Sequence, residues 1–138
     1  KSFLKLFQKF PQNFKNLKQG MLSIYLAQIF KKKRVIVTGS LQRYRDFIFI
    51  DDVVKALEKC INFKKYEIYN IGTSEKVKIS FLANLISKIC KKKIKIVKSN
   101  LLKGSPSKRC PDINKIKKLG FKQKISLRRG LEKIILND

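Results

Sequence analysis

The chain has 138 residues, with 34 lysines and arginines, nine acidic side chains, three cysteines and no histidine. The lack of histidine excludes Ser-His-Asp and Cys-His catalysis within these residues and argues against most transition-metal sites. A net charge of +25 points first to nucleic acid or another anionic surface. The excess is mostly lysine, spread along the chain beside abundant Ile, Phe and Asn, which is typical of a compositionally biased genome. The charge therefore predicts no more than a surface that favours anionic ligands.

Cysteine spacing and hydropathy indicate a cytoplasmic protein. Cys60, Cys90 and Cys110 are an odd number at wide spacing, so we expect free, mostly buried thiols rather than disulfides or zinc ligands. No stretch has the apolar length needed to cross a bilayer, and the residues after Lys1 lack the apolar region of a signal peptide. The expected location is a reducing compartment, without contact to a membrane.

Four elements are predicted in the first half of the chain. Apolar residues at helical spacing indicate a helix in QGMLSIYLAQIF, and the β-branched run VIVTG, closed by Gly39, indicates a strand. The continuous apolar run FIFI, residues 47–50, is typical of a strand buried on both faces. Asp51 or Asp52 then caps a second helix. The inward-facing side chains are expected to be Met21, Leu22, Tyr25, Leu26 and Ile29 in the first helix and Val53, Val54, Leu57, Cys60 and Ile61 in the second.

The second half of the chain continues to alternate between strands and helices. EIYNIG, residues 67–72, is predicted to be a third strand, and IKIV, residues 94–97, a fourth. Ser80 caps the helix between them, and Asp112 and Ser126 cap two more helices near the end. The apolar stripes are predicted to be Phe81, Leu82, Leu85, Ile86 and Ile89 in the first of these helices and Leu127, Leu131 and Ile134 in the last.

This order of elements indicates an α/β fold with four short strands and about five helices. Continuous apolar strands and wide apolar helix faces need another layer of secondary structure to cover them. Four short strands are too few to provide it. We therefore expect much of the covering layer to lie outside this sequence.

Five motifs, in this order, resemble one protein family. GSLQRYRDFIFIDDVVKAL is similar to the G-x-G-x-x-x-RDF-x-Y-V-x-D-x-V stretch in the C-terminal half of nucleotide-sugar epimerases and dehydratases, the extended short-chain dehydrogenase/reductases. NLKQGMLSIYLAQIF resembles the helix after the family's NVYGPGQ strand, and EIYNIGTSEKVKISFLANLI resembles its YNIG strand and the following helix. RCPDINKIKKLGF and ISLRRGLEKII resemble its closing pattern. The resemblance covers residues 12–138 and leaves residues 1–11 unmatched.

The resemblance implies both a fold and a site. In this family the N-terminal half is a Rossmann domain that holds NAD(P), and the C-terminal half closes over a nucleotide-diphosphate sugar. This chain resembles that C-terminal substrate-binding part of the Rossmann-type fold. Arg45, from the RDF motif, would contact the diphosphate or the nucleotide, because a planar guanidinium suits phosphate oxygens. The further candidates that the resemblance implies are Arg109 as a second clamp, Ile36 and Thr38 against the base, and Asn16, Lys18 and Lys103 in the same pocket.

Both arginines also have a plain structural alternative. Arg45 could be a surface residue paired with Asp46 or Asp51, and Arg109 could be solvated within the basic loop GSPSKR. The family pattern favours the phosphate role for Arg45, whereas both alternatives stay open for Arg109. The carboxylates expected to cap helices rather than act as bases are Asp51, Asp52 and Asp112.

Two signatures of the family are absent from the sequence. No two of the six glycines have the GxxGxxG spacing of the NAD-binding fingerprint. None of the four tyrosines is followed by a lysine four residues on, so the catalytic Tyr-x-x-x-Lys pair is missing. We therefore expect no catalytic residue in this chain and no activity from it alone, with NAD held by the missing half in the complete protein.

The resemblance predicts the substrate-binding portion of an NAD-dependent nucleotide-sugar epimerase/dehydratase, most similar to UDP-glucose 4-epimerase-like members. A dehydratase or a UDP-glucuronate decarboxylase stays open, because these enzymes share the closing motif. The partner would be a nucleotide-diphosphate sugar, and the complete protein would form a homodimer through its other half.

Two alternatives come from other classes: a small basic nucleic-acid-binding module and an inactive degenerate fragment. A nucleic-acid-binding surface needs aromatic side chains interleaved with clustered cations. The ten phenylalanines lie instead mostly in the apolar stripes or in the unmatched N-terminal segment, which argues against nucleic acid.

Overall fold

A computed structural model describes residues 20–61, 66–100 and 106–136. Within these ranges the chain forms five helices and five strands that are interspersed along the sequence. This order confirms the predicted α/β class. The helices are α1 Met21–Lys32, α2 Ile50–Ile61, α3 Ile79–Ile89, α4 Asn114–Lys117 and α5 Leu127–Leu136; the strands are β1 Arg34–Thr38, β2 Tyr44–Arg45, β3 Val77–Lys78, β4 Lys95–Ser99 and β5 Lys108–Arg109.

Strands β1 and β4 form a parallel two-stranded sheet, with Arg34 opposite Lys95 at its start. Alternate residues of a strand face opposite sides of the sheet. Val35 and Val37 accordingly have no exposed surface, while the flanking residues are exposed or half-buried. Both strands were predicted from the sequence, at 35–39 and 94–97, to within two residues at either end.

The main core lies between this sheet and three helices. Buried residues of α1, α3 and α5 pack with the inward valines of β1 into one cluster. Helical spacing predicted these faces correctly, except that Phe81 in α3 is 57% exposed. The core side chains with no exposed surface are Ile29, Val35, Val37, Ile79, Leu82, Ala83 and Ile86.

A second, three-stranded sheet has the order β3-β2-β5. Strand β2 is antiparallel to β3 and parallel to β5. Two further backbone hydrogen bonds lengthen the contact with β5, because Tyr44 donates to Ser107 at 2.9 Å and Asp46 donates to Arg109 at 3.1 Å. Arg45 therefore lies in the central strand of this sheet.

The predicted strand at residues 47–50 is wrong. Ile50 begins α2, and Phe49 already accepts backbone hydrogen bonds from Asp52 at 3.0 Å and Val53 at 3.2 Å. These are helical bonds, so the chain turns into the helix at Phe49. The paired strand β2 precedes the apolar run, which is half-buried except for its last residue.

The predicted strand at residues 67–72 is also wrong. A strand needs a neighbouring backbone for its hydrogen bonds, and the described part of the chain places no strand beside this segment. Tyr69 and Ile71 pack against a second apolar cluster that includes Ala56 of α2, while Ile68 is 87% exposed. The segment therefore has one packed side and one open side.

One of the predicted helix caps is confirmed, that of Ser126. The N-cap of α4 is Ile113 rather than Asp112, although the Asp112 carboxylate accepts a hydrogen bond from the backbone N–H of Asn114, the first residue of α4, at 2.8 Å. The Ser126 hydroxyl accepts one from the N–H of Arg129 in α5 at 3.3 Å. Ser80 does not cap α3, because that helix begins one residue earlier.

The pair Asp51 and Asp52 lies inside the first turn of α2 rather than at its cap. The Asp52 side chain is completely buried and accepts backbone hydrogen bonds from Lys124 at 3.1 Å and Ile125 at 2.9 Å. A buried carboxylate is stable only when such donors replace water. Asp52 therefore ties α2 to the loop before α5.

Helix α2 buries less of its predicted face than the spacing of its apolar residues indicated. Ala56 is fully buried and Cys60 is half-buried, but Val54 is 46% and Leu57 is 48% exposed. Ile61 is 81% exposed. Within the described residues, nothing covers this side of the helix.

The three cysteines are free, as predicted, although all three are half-buried rather than fully buried. Burial raises the pKa of the Cys90 thiol to about 11. Among the described residues, no helix is both long and apolar enough to cross a bilayer.

Candidate functional site

The site begins with the alignment of two arginines in the second sheet. Arg45 of β2 is directly opposite Arg109 of β5 in the parallel pairing. Residues opposite each other on neighbouring strands project from the same face of a sheet. The two arginines that the sequence analysis selected, 64 positions apart in the chain, are therefore brought together.

Arg43 adds a third guanidinium to this group. It lies two residues before Arg45, the spacing that places strand side chains on one face. Its Nε donates to the Ser40 carbonyl at 3.2 Å, and its Nη2 donates to the Thr38 carbonyl. Arg43 therefore connects the end of β1 to the arginine pair.

The nearness of the three cations affects the pKa of Arg45. Burial is the largest effect that lowers the pKa of Arg45, followed by repulsion from Arg43 and from Arg109. Cys110 and Tyr25 act in the opposite direction. A guanidinium stays protonated at physiological pH despite such shifts, so the charges repel one another permanently.

No carboxylate neutralises the arginine pair in the part of the chain that the structure describes. Neither Arg45 nor Arg109 forms a salt bridge there, and Arg45 donates instead to the carbonyl of Tyr44 at 2.7 Å. The alternative pairing of Arg45 with Asp46 or Asp51 is not formed. An arginine pair of this kind is suited to an anion with several oxygens, such as a diphosphate.

Tyr25 of α1 lies close enough to Arg43 and Arg45 to feel their charges. It is 4% exposed, and burial raises the pKa of its hydroxyl to about 12, although Arg43 and Arg45 pull that pKa down. The tyrosine therefore stays neutral and does not pair with the arginines as an anion. It belongs to the main core.

Asp46 has a structural role next to Arg45. Its Oδ2 accepts backbone hydrogen bonds from Thr73 at 2.8 Å and Ser74 at 2.9 Å, and its Oδ1 accepts the Thr73 hydroxyl. Gly72 lies against the same carboxylate, since a Cβ there would be 2.6 Å from Oδ2. Asp46 thus fixes the loop at 72–75.

The other predicted site residues are spread over different places. Thr38 ends β1, and its carbonyl is held by Arg43, which links it to the cationic group. Ile36 is half-buried in the same strand, opposite Val97, and its N–H donates to the Gln28 side chain at 2.6 Å. The predicted contacts Asn16, Lys18 and Lys103 lie outside the described residues.

Sequence reasoning missed three residues of this site: Arg43, Tyr25 and Asp46. The signal for Arg43 was available, because strand periodicity places it on the face of Arg45. Tyr25 gave no signal beyond its place in an apolar stripe. Asp46 was considered only as a salt-bridge partner, although neighbouring residues of a strand point to opposite faces.

The glycines of this chain do not have the spacing of a dinucleotide-binding loop. A dinucleotide pyrophosphate is held by closely spaced glycines at the start of a helix. The glycines of this chain are at least ten residues apart, at positions 20, 39, 72, 104, 120 and 130. The dinucleotide fingerprint is therefore not part of this sequence.

The sequence matches the family model described as the NAD dependent epimerase/dehydratase family, over residues 3–72. This match covers half of the chain, includes the RDF motif, and begins inside the segment that the motifs above leave unmatched. The chain belongs to this family. The resemblance carried by the five motifs is thereby confirmed.

Other family members include solved epimerases. A UDP-glucose 4-epimerase of Thermotoga maritima, solved with UDP-glucose, has 27% sequence identity and a TM-score of 0.82, covering 91% of this chain and 40% of its own. A UDP-glucuronic acid 4-epimerase of Bacillus cereus, solved with UDP-glucuronic acid and NAD, has 26% identity and a TM-score of 0.76, covering 83% and 38%. The fold is therefore that of one part of these Rossmann-type enzymes.

A decarboxylase is similar to a comparable degree. UDP-glucuronic acid decarboxylase 4 of Arabidopsis thaliana is 30% identical over 112 residues, which are 80% of this chain and 25% of the plant protein. The chain spans less than half the length of each of these relatives.

Proposed function

We propose that this chain is the substrate-binding portion of an NAD-dependent nucleotide-sugar epimerase/dehydratase, and that Arg45 and Arg109 hold the diphosphate. The observation that carries the proposal is the register of β2 and β5, which places the two arginines opposite each other. No carboxylate among the described residues pairs with either of them. Similar proteins solved with UDP-sugars add support.

The geometry suits a diphosphate because two guanidinium groups can each donate to one phosphate. Charge-assisted bonds of this kind are about twice as strong as neutral ones. Arg43 has a different part in the proposal: it holds the Thr38 carbonyl and so positions the end of β1. Thr38 and Ile36 would then lie against the base, and Asn16, Lys18 and Lys103 would complete the pocket.

The type of reaction is proposed for the complete protein and not for this chain alone. NAD supplies the hydride chemistry in such enzymes when it is bound, and we propose that the rest of the fold holds it. This chain binds and orients the sugar nucleotide but contributes no acid or base, because it lacks the Tyr-x-x-x-Lys pair. Epimerisation is the favoured reaction, and dehydration and decarboxylation are the alternatives; the plant relative supports decarboxylation.

The proposal also includes a location and an assembly. Free thiols are typical of a reducing compartment such as the cytoplasm. A homodimer is proposed for the complete protein only, through the half that this chain does not contain.

Titration of the full 138-residue chain with UDP-glucose by calorimetry tests the role of Arg45. Arg45→Ala should weaken binding by roughly 1.5 to 3 kcal/mol, the range for a hydrogen bond to a charged group. That corresponds to a Kd about 10 to 150 times higher. Uridine has no phosphate, so the Arg45→Ala chain should bind it with the same affinity as the wild type does.

Arg129→Ala is the matched control. Arg129 is an exposed arginine on α5, and its substitution removes the same charge outside the cationic group. Equal affinities of the Arg45→Ala and Arg129→Ala chains for UDP-glucose would overturn the diphosphate role.

A further inference from the structure

Gly72, Thr73 and Ser74 form a short connector that is bonded to the strand of Arg45. The residue after Arg45 is Asp46, and its carboxylate accepts the N–H groups of Thr73 at 2.8 Å and Ser74 at 2.9 Å. The Thr73 hydroxyl donates to the same carboxylate. Three donors on one side chain therefore fix the connector to the end of β2.

The connector is also bonded to the chain just after Arg109. The Ser74 hydroxyl donates to the carbonyl of Pro111 at 3.3 Å. Close to it, the side-chain amide of Asn70 donates to the carbonyl of Asp112 at 3.1 Å. Ser74 therefore bonds to both of the strands that carry the arginine pair, through its N–H group on one side and its hydroxyl on the other.

Gly72 lies in the narrow space between the two sides. A Cβ at this position would be 2.6 Å from Oδ2 of Asp46 and 2.6 Å from Cγ of Pro111. The glycines with positive φ in the described part of the chain are Gly39 and Gly120, so the backbone conformation does not require glycine at position 72. The missing side chain is needed instead for the close approach of the two sides.

Ser74 has an unusual backbone conformation within the connector. Its φ is 63°, in the left-handed region that residues other than glycine seldom adopt. Such a conformation persists only where the surrounding structure holds it, and it is common at functional sites. The bonds of Ser74 to Asp46 and Pro111 hold it here.

The two strands need a connection of this kind, because their own pairing is short and their charges repel. Strands β2 and β5 have two residues each. Arg45 and Arg109 lie directly opposite each other, and like charges in that position destabilise a sheet. The connector supplies bonds just beyond this pair, where they oppose the repulsion.

We propose that the connector sets the distance between Arg45 and Arg109 and thereby makes the site prefer two adjacent phosphates over one. This inference rests on the proposed function, which assigns the diphosphate to the two arginines. A diphosphate uses both guanidinium groups at a fixed separation, whereas a single phosphate needs only one of them. The connector residues are positioning residues, since they act through the arginines.

Gly72→Ala in the full 138-residue chain tests the proposal. Carbon atoms in contact lie about 3.5 to 4.0 Å apart, so the added methyl group would displace Asp46 or Pro111 by roughly an ångström. The Pro111 ring cannot rotate away and Asp46 is held by three donors, so the shift passes to the strands. Calorimetry with UDP, UMP and uridine measures the effect. The Kd for UDP should rise by about tenfold or more, while those for UMP and uridine should change by less than about twofold.

The preference for UDP, which is the Kd for UMP divided by the Kd for UDP, separates this role from a loss of stability. A less stable chain has a smaller folded fraction, which weakens the binding of all three ligands by the same factor. The substitution leaves the net charge at +25, so the general attraction of the surface for phosphates cancels as well. A change in the arginine spacing lowers the preference, and a loss of folded protein does not.

Ser74→Ala is a milder second variant, and Gly20→Ala is the matched control. Ser74 is exposed, and its substitution removes the hydroxyl bond to Pro111. The preference for UDP should fall by about two- to tenfold, the range for one neutral hydrogen bond. Gly20 has a φ of −59°, and a Cβ there would meet no described atom within 4 Å, so the control should keep the wild-type preference.

A wild-type preference for UDP in both connector variants would overturn the proposal, and so would an equal fall in the Gly20→Ala chain. If circular dichroism shows that Gly72→Ala does not fold, the preference measured for Ser74→Ala decides alone. An Arg45→Ala chain that keeps the wild-type preference would overturn this inference together with the proposed function. An Arg45→Ala chain that loses the preference, beside connector variants that keep it, would reject the connector alone.

Discussion

Arg45 and Asp46 are neighbours in the sequence with different roles in the structure. Arg45 joins a group of cations on one face, where it meets Arg109. Asp46 accepts hydrogen bonds from the loop that contains Thr73 and Ser74. The strand geometry separates the two charges, since successive side chains point to opposite faces. The RD pair is therefore one arginine of the proposed diphosphate site beside one structural carboxylate, and no salt bridge joins them.

Replacement of Asp46 by asparagine should destabilise the chain. Three donors lose their charged acceptor: the N–H groups of Thr73 and Ser74 and the Thr73 hydroxyl. We expect the free energy of unfolding to fall by about 1 to 3 kcal/mol, measured by urea denaturation. Asp51→Asn is the control, because Asp51 is exposed and its salt bridge to Lys133, at 3.8 Å, contributes little. Equal stability of the two variants would contradict the role of Asp46.

Tyr25 should make the stability of the chain depend on alkaline pH. Burial raises the pKa of its hydroxyl from 10.0 to about 12, so the folded state favours the neutral form. The stability that this preference contributes is fully present below pH 10 and is lost as the pH rises from 10 towards 12. At pH 11 the wild type should have lost roughly 1 kcal/mol that Tyr25→Phe does not lose.

The comparison uses the slope of unfolding free energy against pH, measured by urea denaturation between pH 9 and pH 11. Cys90, whose pKa burial raises to about 11, titrates in the same range but is present in both chains, so its effect cancels. Parallel slopes for wild type and Tyr25→Phe would show that the buried hydroxyl does not resist ionisation.

At the level of elements, the helices could be predicted from the sequence and most of the strands could not. Helical periodicity is local, and the buried faces of α1 and α3 follow it closely. Strand formation depends on a distant partner, which is why the apolar run at 47–50 and the segment at 67–72 were assigned wrongly. The two-residue strands β2, β3 and β5 carry almost no local pattern, yet they bring the arginines together.

Gly130 shows how an element is shaped by a contact that the sequence does not reveal. Glycine inside a helix is less favourable than alanine by about 1 kcal/mol. In α5, however, a Cβ at this position would lie 2.8 Å from the ring of Phe49. The glycine therefore lets α5 pack closely on the residue that precedes α2.

Gly130→Ala should lower the free energy of unfolding despite its better helix propensity. Overpacking typically costs about 1 to 3 kcal/mol, which exceeds the gain in propensity of about 1 kcal/mol. Urea denaturation measures the net effect. The double variant Gly130→Ala with Phe49→Leu relieves the contact and should recover part of the loss. A stabilised single variant would mean that the ring moves freely.

For the whole molecule, the resemblance to a family was enough to select Arg45 as a candidate. That Arg45 lies opposite Arg109 could be seen only in the structure. Composition alone suggested an anionic ligand and could not say where it binds. The register of two short strands selects Arg45 and Arg109 from 34 cations. The candidate contacts that lie outside the described residues, such as Asn16 and Lys103, stay predictions.

The net charge of +25 should make the fold sensitive to salt. Like charges in a compact chain repel, and the repulsion weakens as the Debye length falls from about 30 Å at 0.01 M salt to about 8 Å at 0.15 M. The melting temperature should therefore rise by several degrees between these salt concentrations, as expected for about 1 kcal/mol in a domain of this size. A melting temperature that does not change, or that falls, would mean that the cations are already paired. Sodium chloride is the appropriate salt for the series, because sulfate and phosphate are expected to bind the proposed diphosphate site as well. A further increase on addition of UDP-glucose at constant ionic strength, absent in Arg45→Ala, would separate the site from the general surface charge.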